Sequence, residues 1–305
     1  MIHSMQDLVN QACNLKQKRL VVAAADDLHV IEAVNMAVKR NMVKPLLVGD
    51  QKAIIKILTE LRIDQNHYQI IDEPDRVLAC EKAVRLMSGG EGDILMKGFV
   101  DTAVILKAVL DKEYGLRTKN RLSHASVMEI PTYHKLLMMS DGAMNMYPDV
   151  DIKQEIIENG IKILQAIGIS TPKVAMLAAI EKFNPKMPAT VDAVNLIERN
   201  KQGSLKGCIV EGPFALDNAI NKEAAIHKGL TGVVAGDADF IMMPQIESGN
   251  VFYKGMMFLA NAKSASLIAG AQKPIVLTSR ADSTESKFYS IALASFVAEL
   301  NVVSV

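Results

Sequence analysis

Short apolar runs alternate with helix-length amphipathic segments along the first third of the chain. Arg19–Ala25 is an apolar run, Asp27–Arg40 carries a helical repeat, and Pro45–Gly49 reads as the next strand. A helix over Lys52–Leu61, a strand over Tyr68–Ile71, a helix over Arg76–Ser88, a strand over Ile94–Met96 and a helical stretch over Thr102–Leu110 continue the series. Strands and helices in regular succession predict a parallel sheet covered by helices.

The rhythm returns farther along. Asp151–Ile167 places Ile152, Ile156, Ile163 and Ile167 at helical spacing, and Gly168 is suited to end that helix. A strand over Lys173–Ala178, a polar loop over Glu181–Pro188, a helix over Thr190–Lys201 and a strand over Cys208–Glu211 follow. These predict a second α/β unit over roughly 140–280. Ser283 and Thr284 can cap a last helix running through Phe288, Ile291, Leu293 and Val297. No internal repeat or Pro/Gly/Ser-rich linker marks a boundary.

Composition narrows the function classes. The 305 residues are half hydrophobic, enough for one large core or two modest ones, and the length favours two domains. Thirty-four basic and 34 acidic residues balance, so the clustered basic excess of a nucleic-acid surface is not expected. Cys13, Cys80 and Cys208 are odd in number and widely spaced, which suits neither a disulfide framework nor a zinc cluster. Lys263 interrupts the best apolar run, and Met1–Leu20 lacks the core of a secretory signal. A cytoplasmic, unprocessed protein without nucleic-acid or membrane partners is the expectation.

Two segments carry the chemistry. Gly236-Asp-Ala-Asp begins an apolar run that leads to Gly249-Asn250 and Tyr253-Lys254, read as a strand emptying into a tight turn. Pro274-Ile-Val-Leu-Thr-Ser279-Arg280 reads as a strand ending in Ser-Arg. Cations at two strand ends are how an α/β protein builds an anion site, and an arginine offers two donors to two phosphate oxygens. The Ser279 hydroxyl can donate to a developing oxyanion, and the helix start near Ser283 adds backbone donors. Lys97-Gly98 follows the apolar strand Ile94–Met96, where open α/β sheets bind ligands. His124 has the pKa range for moving a proton. Cys208 has apolar neighbours and no nearby histidine, the pattern of an inert buried thiol.

The chain resembles the phosphate acetyl/butyryl transferase family. The resemblance rests on the two segments above and on Lys97-Gly98, Ser123-His124 with Ala125–Met128, Asp141-Gly-Ala-Met-Asn145 with Pro148, and Glu211-Gly212-Pro213, all in the family's order. The Ser123–Met128 stretch and Ser279-Arg-Ala-Asp-Ser283 look closer to the family's butyryl branch. The resemblance implies a two-domain, three-layer α/β/α architecture like that of the isocitrate/isopropylmalate dehydrogenases, with the active site in the interdomain cleft. Residues 1–139 plus 281–305 would form the first domain and 140–280 the second.

It further implies reversible transfer of a short acyl group between coenzyme A and inorganic phosphate in a ternary complex (butanoyl-CoA + phosphate = butanoyl phosphate + CoA). CoA is a substrate there, with no tightly bound cofactor and no metal, and the assembly is a homodimer or larger homo-oligomer. Ser279, Arg280, Asp282 and His124 are the expected catalytic residues. Lys97, Lys107, Ser123, Asn250, Lys254, Gly212 and Glu285 are expected around acyl-CoA, phosphate or acyl phosphate. The base is open between Asp282, Glu285 and His124, because Ser286 stands where the acetyl enzymes have an aspartate. Lys107 stands where they have an arginine. Methionine pairs such as Met138-Met139 and Met256-Met257 are mostly expected in the core, with room for an adaptable acyl pocket. Acetyl transfer, a catalytically inactive CoA or acyl-phosphate sensor, and a decarboxylating dehydrogenase are the rival readings. The dehydrogenase lacks support, since Gly89-Gly-Glu-Gly92 is no dinucleotide fingerprint.

Overall fold

A computed structural model describes residues 2–279 and 282–303. In chain order, helix α1 (Met5–Ala12), strand β1 (Lys18–Ala23), α2 (Leu28–Lys39), β2 (Val43–Gly49), α3 (Gln51–Glu60), β3 (Gln69–Asp72), α4 (Arg76–Ser88), β4 (Ile94–Lys97) and α5 (Thr102–Val109) come first. Next are β5 (Ser123–Glu129), β6 (Leu137–Ser140), α6 (Val150–Ala166), β7 (Lys173–Leu177), α7 (Pro188–Lys201), β8 (Ile209–Phe214), α8 (Leu216–Ile220), α9 (Lys222–His227), β9 (Phe240–Met242) and α10 (Ile246–Leu259). The described chain closes with β10 (Lys263–Ala269), β11 (Ile275–Val276) and α11 (Thr284–Val303).

The chain divides into two compact units, one of residues 1–4 and 121–264, the other of 5–120 and 265–305. The divisions fall at 120/121 and 264/265, where the sequence placed them at 139/140 and 280/281. Backbone pairing explains the first shift. β5 and β6 are an antiparallel pair, with Val127 opposite Met138, so both belong with the strands that follow.

In the unit holding the N-terminal elements, strands run in the order β3-β2-β1-β4-β11-β10. All neighbours are parallel except β10 with β11. Aspartates start three of its helices by accepting amide hydrogens: Asp27 from Val30, Asp50 from Lys52 and Ala53, Asp75 from Val77 and Leu78. The chain moves outward from β1 to β3, then returns to pair β4 on the other side of β1. Right-handed crossovers therefore put α2 and α3 on one face and α4 on the other. The long α11 packs on α1 and α2, and α4 packs on α5. Its residues Ile291–Ala294 are fully buried, as expected of a helix apolar on most sides. Lys18, itself buried, ends in an ion pair with Glu299 of α11.

The other unit has the order β5-β6-β9-β7-β8, with β6, β9, β7 and β8 parallel. The two-residue period of its strands sorts side chains to two faces. Met138 and Phe240 lie against Gly160 of α6, whereas Met139 and Ile241 join the core under α8, α9 and α10.

The Gly236-Asp-Ala-Asp stretch forms the entry to β9 and does structural work. Lys135 bridges Asp237 and Asp239 at 2.8 and 2.6 Å, His134 reaches Asp237 at 2.8 Å, and Lys173 completes the cluster. Burial alone would raise the Asp237 pKa, but hydrogen bonds from Lys135, Lys173 and His134 outweigh it and hold the carboxyl well below its ordinary value. A depressed folded-state pKa contributes stability above the unfolded value of about 3.9 and loses it as pH falls through the folded value. Asp237→Asn is expected to lower stability at pH 7 by about 1–2 kcal/mol and to flatten the acid limb of the denaturation midpoint below about pH 4. Urea titrations across pH check both.

Candidate active site

At the C-terminal ends of β1, β4 and β11 the strand order reverses direction, the place where open α/β sheets receive ligands. Gly98 follows β4 here. Its amide donates to the Ala23 carbonyl and that of Phe99 to the Ala24 carbonyl, each at 2.8 Å. A Cβ on Gly98 would lie 2.0 Å from the Ala24 oxygen, so only glycine permits this approach. Beside it is a cavity of about 40 Å³ lined by Lys97, Gly98, Phe99, Thr278, Ser279, Lys287 and the α2 start, Asp27, His29 and Val30.

Lys97 and Ser279 thus border one cavity. Lys97 is buried, and its ammonium donates to the carbonyls of Gly98 at 3.2 Å and Val100 at 3.0 Å. Ser279 is exposed at the mouth. The Asp282 carboxylate accepts the Ser279 amide hydrogen at 2.7 Å. Ser283 caps α11 by accepting the Ser286 amide at 3.1 Å. Glu285 is exposed in the first turn of that helix, and Lys107 is exposed on α5. Arg280 lies outside the described residues. Lys287 was missed; its signal was a lysine one residue before Phe288 on an otherwise apolar helix stripe.

A larger concavity of about 1170 Å³ lies at the opposite ends of the strands, around Lys44, Arg62 and Tyr68. None of the expected site residues borders it, and strand N-termini in this fold are not where ligands are received. Of the two, only the smaller is bordered by Lys97 and Ser279.

A second group of expected residues belongs to the β5–β9 unit. The buried Asp141 carboxylate gathers the amides of Ala143 and Met144 at 2.8 and 2.9 Å, the His124 amide at 3.2 Å and the Asn145 side chain at 2.7 Å. The His124 carbonyl accepts from Ser140 at 2.6 Å, and its ring packs edge-on to Tyr253 with centroids 6.0 Å apart. Ser123 is buried and accepts from Asn159 at 3.0 Å. Asn250 donates to the Gly142 carbonyl at 3.2 Å. Asp141 and Asn159, the anchors of this network, were given no role by the sequence.

Gly249 and Asn250 do not form the tight turn expected of them. They lie inside α10, because Gln245 caps a helix four residues earlier by accepting the Ser248 amide. The close approach remains: a Cβ on Gly249 would lie 2.3 Å from the Asp141 carbonyl oxygen and 2.9 Å from the Gly142 Cα. Lys254 is exposed on the same helix. Gly212, inside β8, has φ +142° with its Cα close to Met176, a backbone-shaping position. Cys208 is buried, and burial, with a smaller contribution from Glu158, pushes its thiol up to about 12.

Together the fold and these strand-end residues define an α/β protein equipped to receive an anion. The family model for phosphate acetyl/butaryl transferase matches residues 4–81 and 75–295, and this chain belongs to that family. It is 45% identical over 298 residues to the phosphate butyryltransferase of Clostridium acetobutylicum, covering 98% of this chain and 99% of that one. It is 48% identical over 283 residues to the phosphate acetyltransferase of Thermotoga maritima, covering 93% and 96%. A branched-chain phosphotransacylase from Enterococcus faecalis V583 has 33% identity and a TM-score of 0.81, over 92% of this chain and 98% of that one. Family membership sets the dehydrogenase reading aside.

Gly249→Ala forces apart α10 and the Asp141–Gly142 backbone. The expected result is a destabilisation of about 1–3 kcal/mol, read from the denaturation midpoint, with a shift in the His124 ring signals by NMR.

Proposed function

We propose that the chain is a phosphate butyryltransferase-like acyltransferase that exchanges a short acyl group between coenzyme A and inorganic phosphate. The observation that carries this reading is Ser279 at the mouth of a cavity holding the buried Lys97 ammonium, in a chain of this family. A phosphate oxygen attacks the thioester carbonyl, the tetrahedral intermediate collapses, and the thiolate of CoA leaves and is protonated. Ser279 donates to the oxyanion, and Arg280, beside it in sequence, clamps phosphate oxygens. Lys97, Lys107 and Lys254 supply positive field to the anions, while Ser123, Asn250 and Gly212 shape the approach.

Transfer is direct. Cys208 is too buried, and its thiol too hard to ionise, to carry an acyl group. The proton carrier is one of Asp282, Glu285 and His124, of which Asp282 also accepts the Ser279 amide hydrogen. CoA enters as a substrate, with no tightly bound cofactor or metal, and the setting is the cytoplasm. Acetyl transfer is the second reading, favoured by the relative from Thermotoga maritima, whose identity is slightly higher over a shorter match.

Purified protein with phosphate and acetyl-, butyryl- or isobutyryl-CoA is expected to release thiol only when phosphate is present, fastest with four-carbon substrates. Ser279→Ala is expected to reduce kcat/KM about 100-fold. Acetyl preference would select the second reading. CoA binding without release from any thioester would make the chain a sensor.

The assembly is proposed to be a homodimer or a multiple of it. Val251, Phe258 and Leu259 of α10 are 71%, 67% and 87% exposed, at helical spacing on one side of a helix in which only Gly249 is buried. Exposed apolar side chains on one side of a helix suit a self-complementary contact. Leu259→Asp is expected to lower the mass measured by light scattering, and an unchanged oligomer would exclude α10 from the interface.

A further inference from the structure

The helix that closes the strand-end cavity carries a cation hidden in its apolar pattern. Lys287, in the first turn of α11, is only 5% exposed and follows the buried Ser286. Its ammonium donates to the Asp282 carbonyl at 2.6 Å and lines the cavity with Lys97, Thr278 and Ser279. Lysines are almost never this buried without a reason, and here two share one small space.

Two carboxylates share these surroundings and also hold backbone amides. Asp27 accepts the Val30 amide at 2.9 Å as the α2 cap, and Asp282 accepts the Ser279 amide at 2.7 Å. His29 and Lys97 are the other titratable groups facing the cavity. Burial holds the Lys287 pKa below its ordinary value, with Asp282 and Asp27 opposing the shift. An anion settling in the cavity that both lysines line would offset the desolvation that burial imposes on the Lys287 ammonium. A cavity of about 40 Å³ beside these lysines is of a size for a small anion.

We infer that Lys287, with Lys97, binds the phosphate-sized anion of the reaction, as inorganic phosphate or as the phosphoryl end of an acyl phosphate, and that Lys287 sets its affinity. The identity of the anion rests on the proposed acyl transfer; its size and charge rest on the cavity.

Inorganic phosphate titrated into wild type, Lys287→Gln and Lys287→Arg, followed by calorimetry without any thioester, tests this. Wild type should bind one phosphate per chain, Lys287→Gln about tenfold or more weakly, and Lys287→Arg between the two. CoA, whose phosphates are carried on a nucleotide, should bind all three alike, and in turnover the KM for phosphate should rise while that for butyryl-CoA stays. Equal phosphate affinity in Lys287→Gln, or a proportional loss of CoA affinity, overturns the inference. If neither variant folds, the wild-type titration decides: absence of saturable phosphate binding overturns it, and one site per chain that raises the unfolding temperature supports it. A wild type that binds phosphate through Lys287 but transfers no acyl group would overturn the proposed function alone. Turnover that is insensitive to Lys287 would overturn the inference alone.

Discussion

The close approach of Gly98 to the Ala23–Ala24 backbone is the constraint on which the strand-end site depends. Two parallel strands must carry their hydrogen bonding one residue past their ends, and any Cβ at Gly98 would collide with the Ala24 oxygen 2.0 Å away. Because β4 is held so tightly to β1, Lys97 leaves its strand buried, with its ammonium folded over the carbonyls of Gly98 and Val100. Thr278 and Ser279 come alongside because β11 pairs directly with β4.

The β5–β9 unit solves a similar problem with a carboxylate. Asp141 collects three backbone amides and one side-chain amide, so the turn through Asn145 has little freedom. Gly249 lets α10 lie against that turn at a distance no other residue allows. His124 and Asn250 therefore sit in a network whose geometry is set by groups that need never touch a substrate. Such supporting groups are what hold a reactive constellation in place.

Much of the fold was legible in the sequence because its signals are local. Strands buried on both faces read as apolar runs, and helices with one wet face read as 3.6-residue repeats. The α4 reading over Arg76–Ser88 coincides with the observed helix, and those for β1 and α6 differ from it by a residue or two. The Gly249-Asn250 segment went the other way. Glycine and asparagine side by side favour turns locally, but the Gln245 cap and packing of Phe252, Tyr253 and Met256 on the core carry the helix through them. The strand order was beyond local signals altogether, because pairing partners lie far apart in the chain.

For the candidate site, the sequence by itself determined which chemical groups are present: a serine and a lysine at strand ends, a histidine in a matching stretch, and at Cys208 a thiol too apolar in context to be a nucleophile. Only the tertiary structure decided which of them share a space. Lys97 and Ser279 meet at one cavity, Asp282 spends its carboxylate on the Ser279 amide, and Lys107, Lys254 and Glu285 face outward on their helices. Lys287 shows the reason most plainly. A lysine on a helix reads as a solvated charge, and its burial beside Lys97 arises from the packing of α11 across strand ends whose residues lie about 190 positions earlier in the chain. Residue type is a local property, while burial and the company of other charges are set by contacts between distant segments.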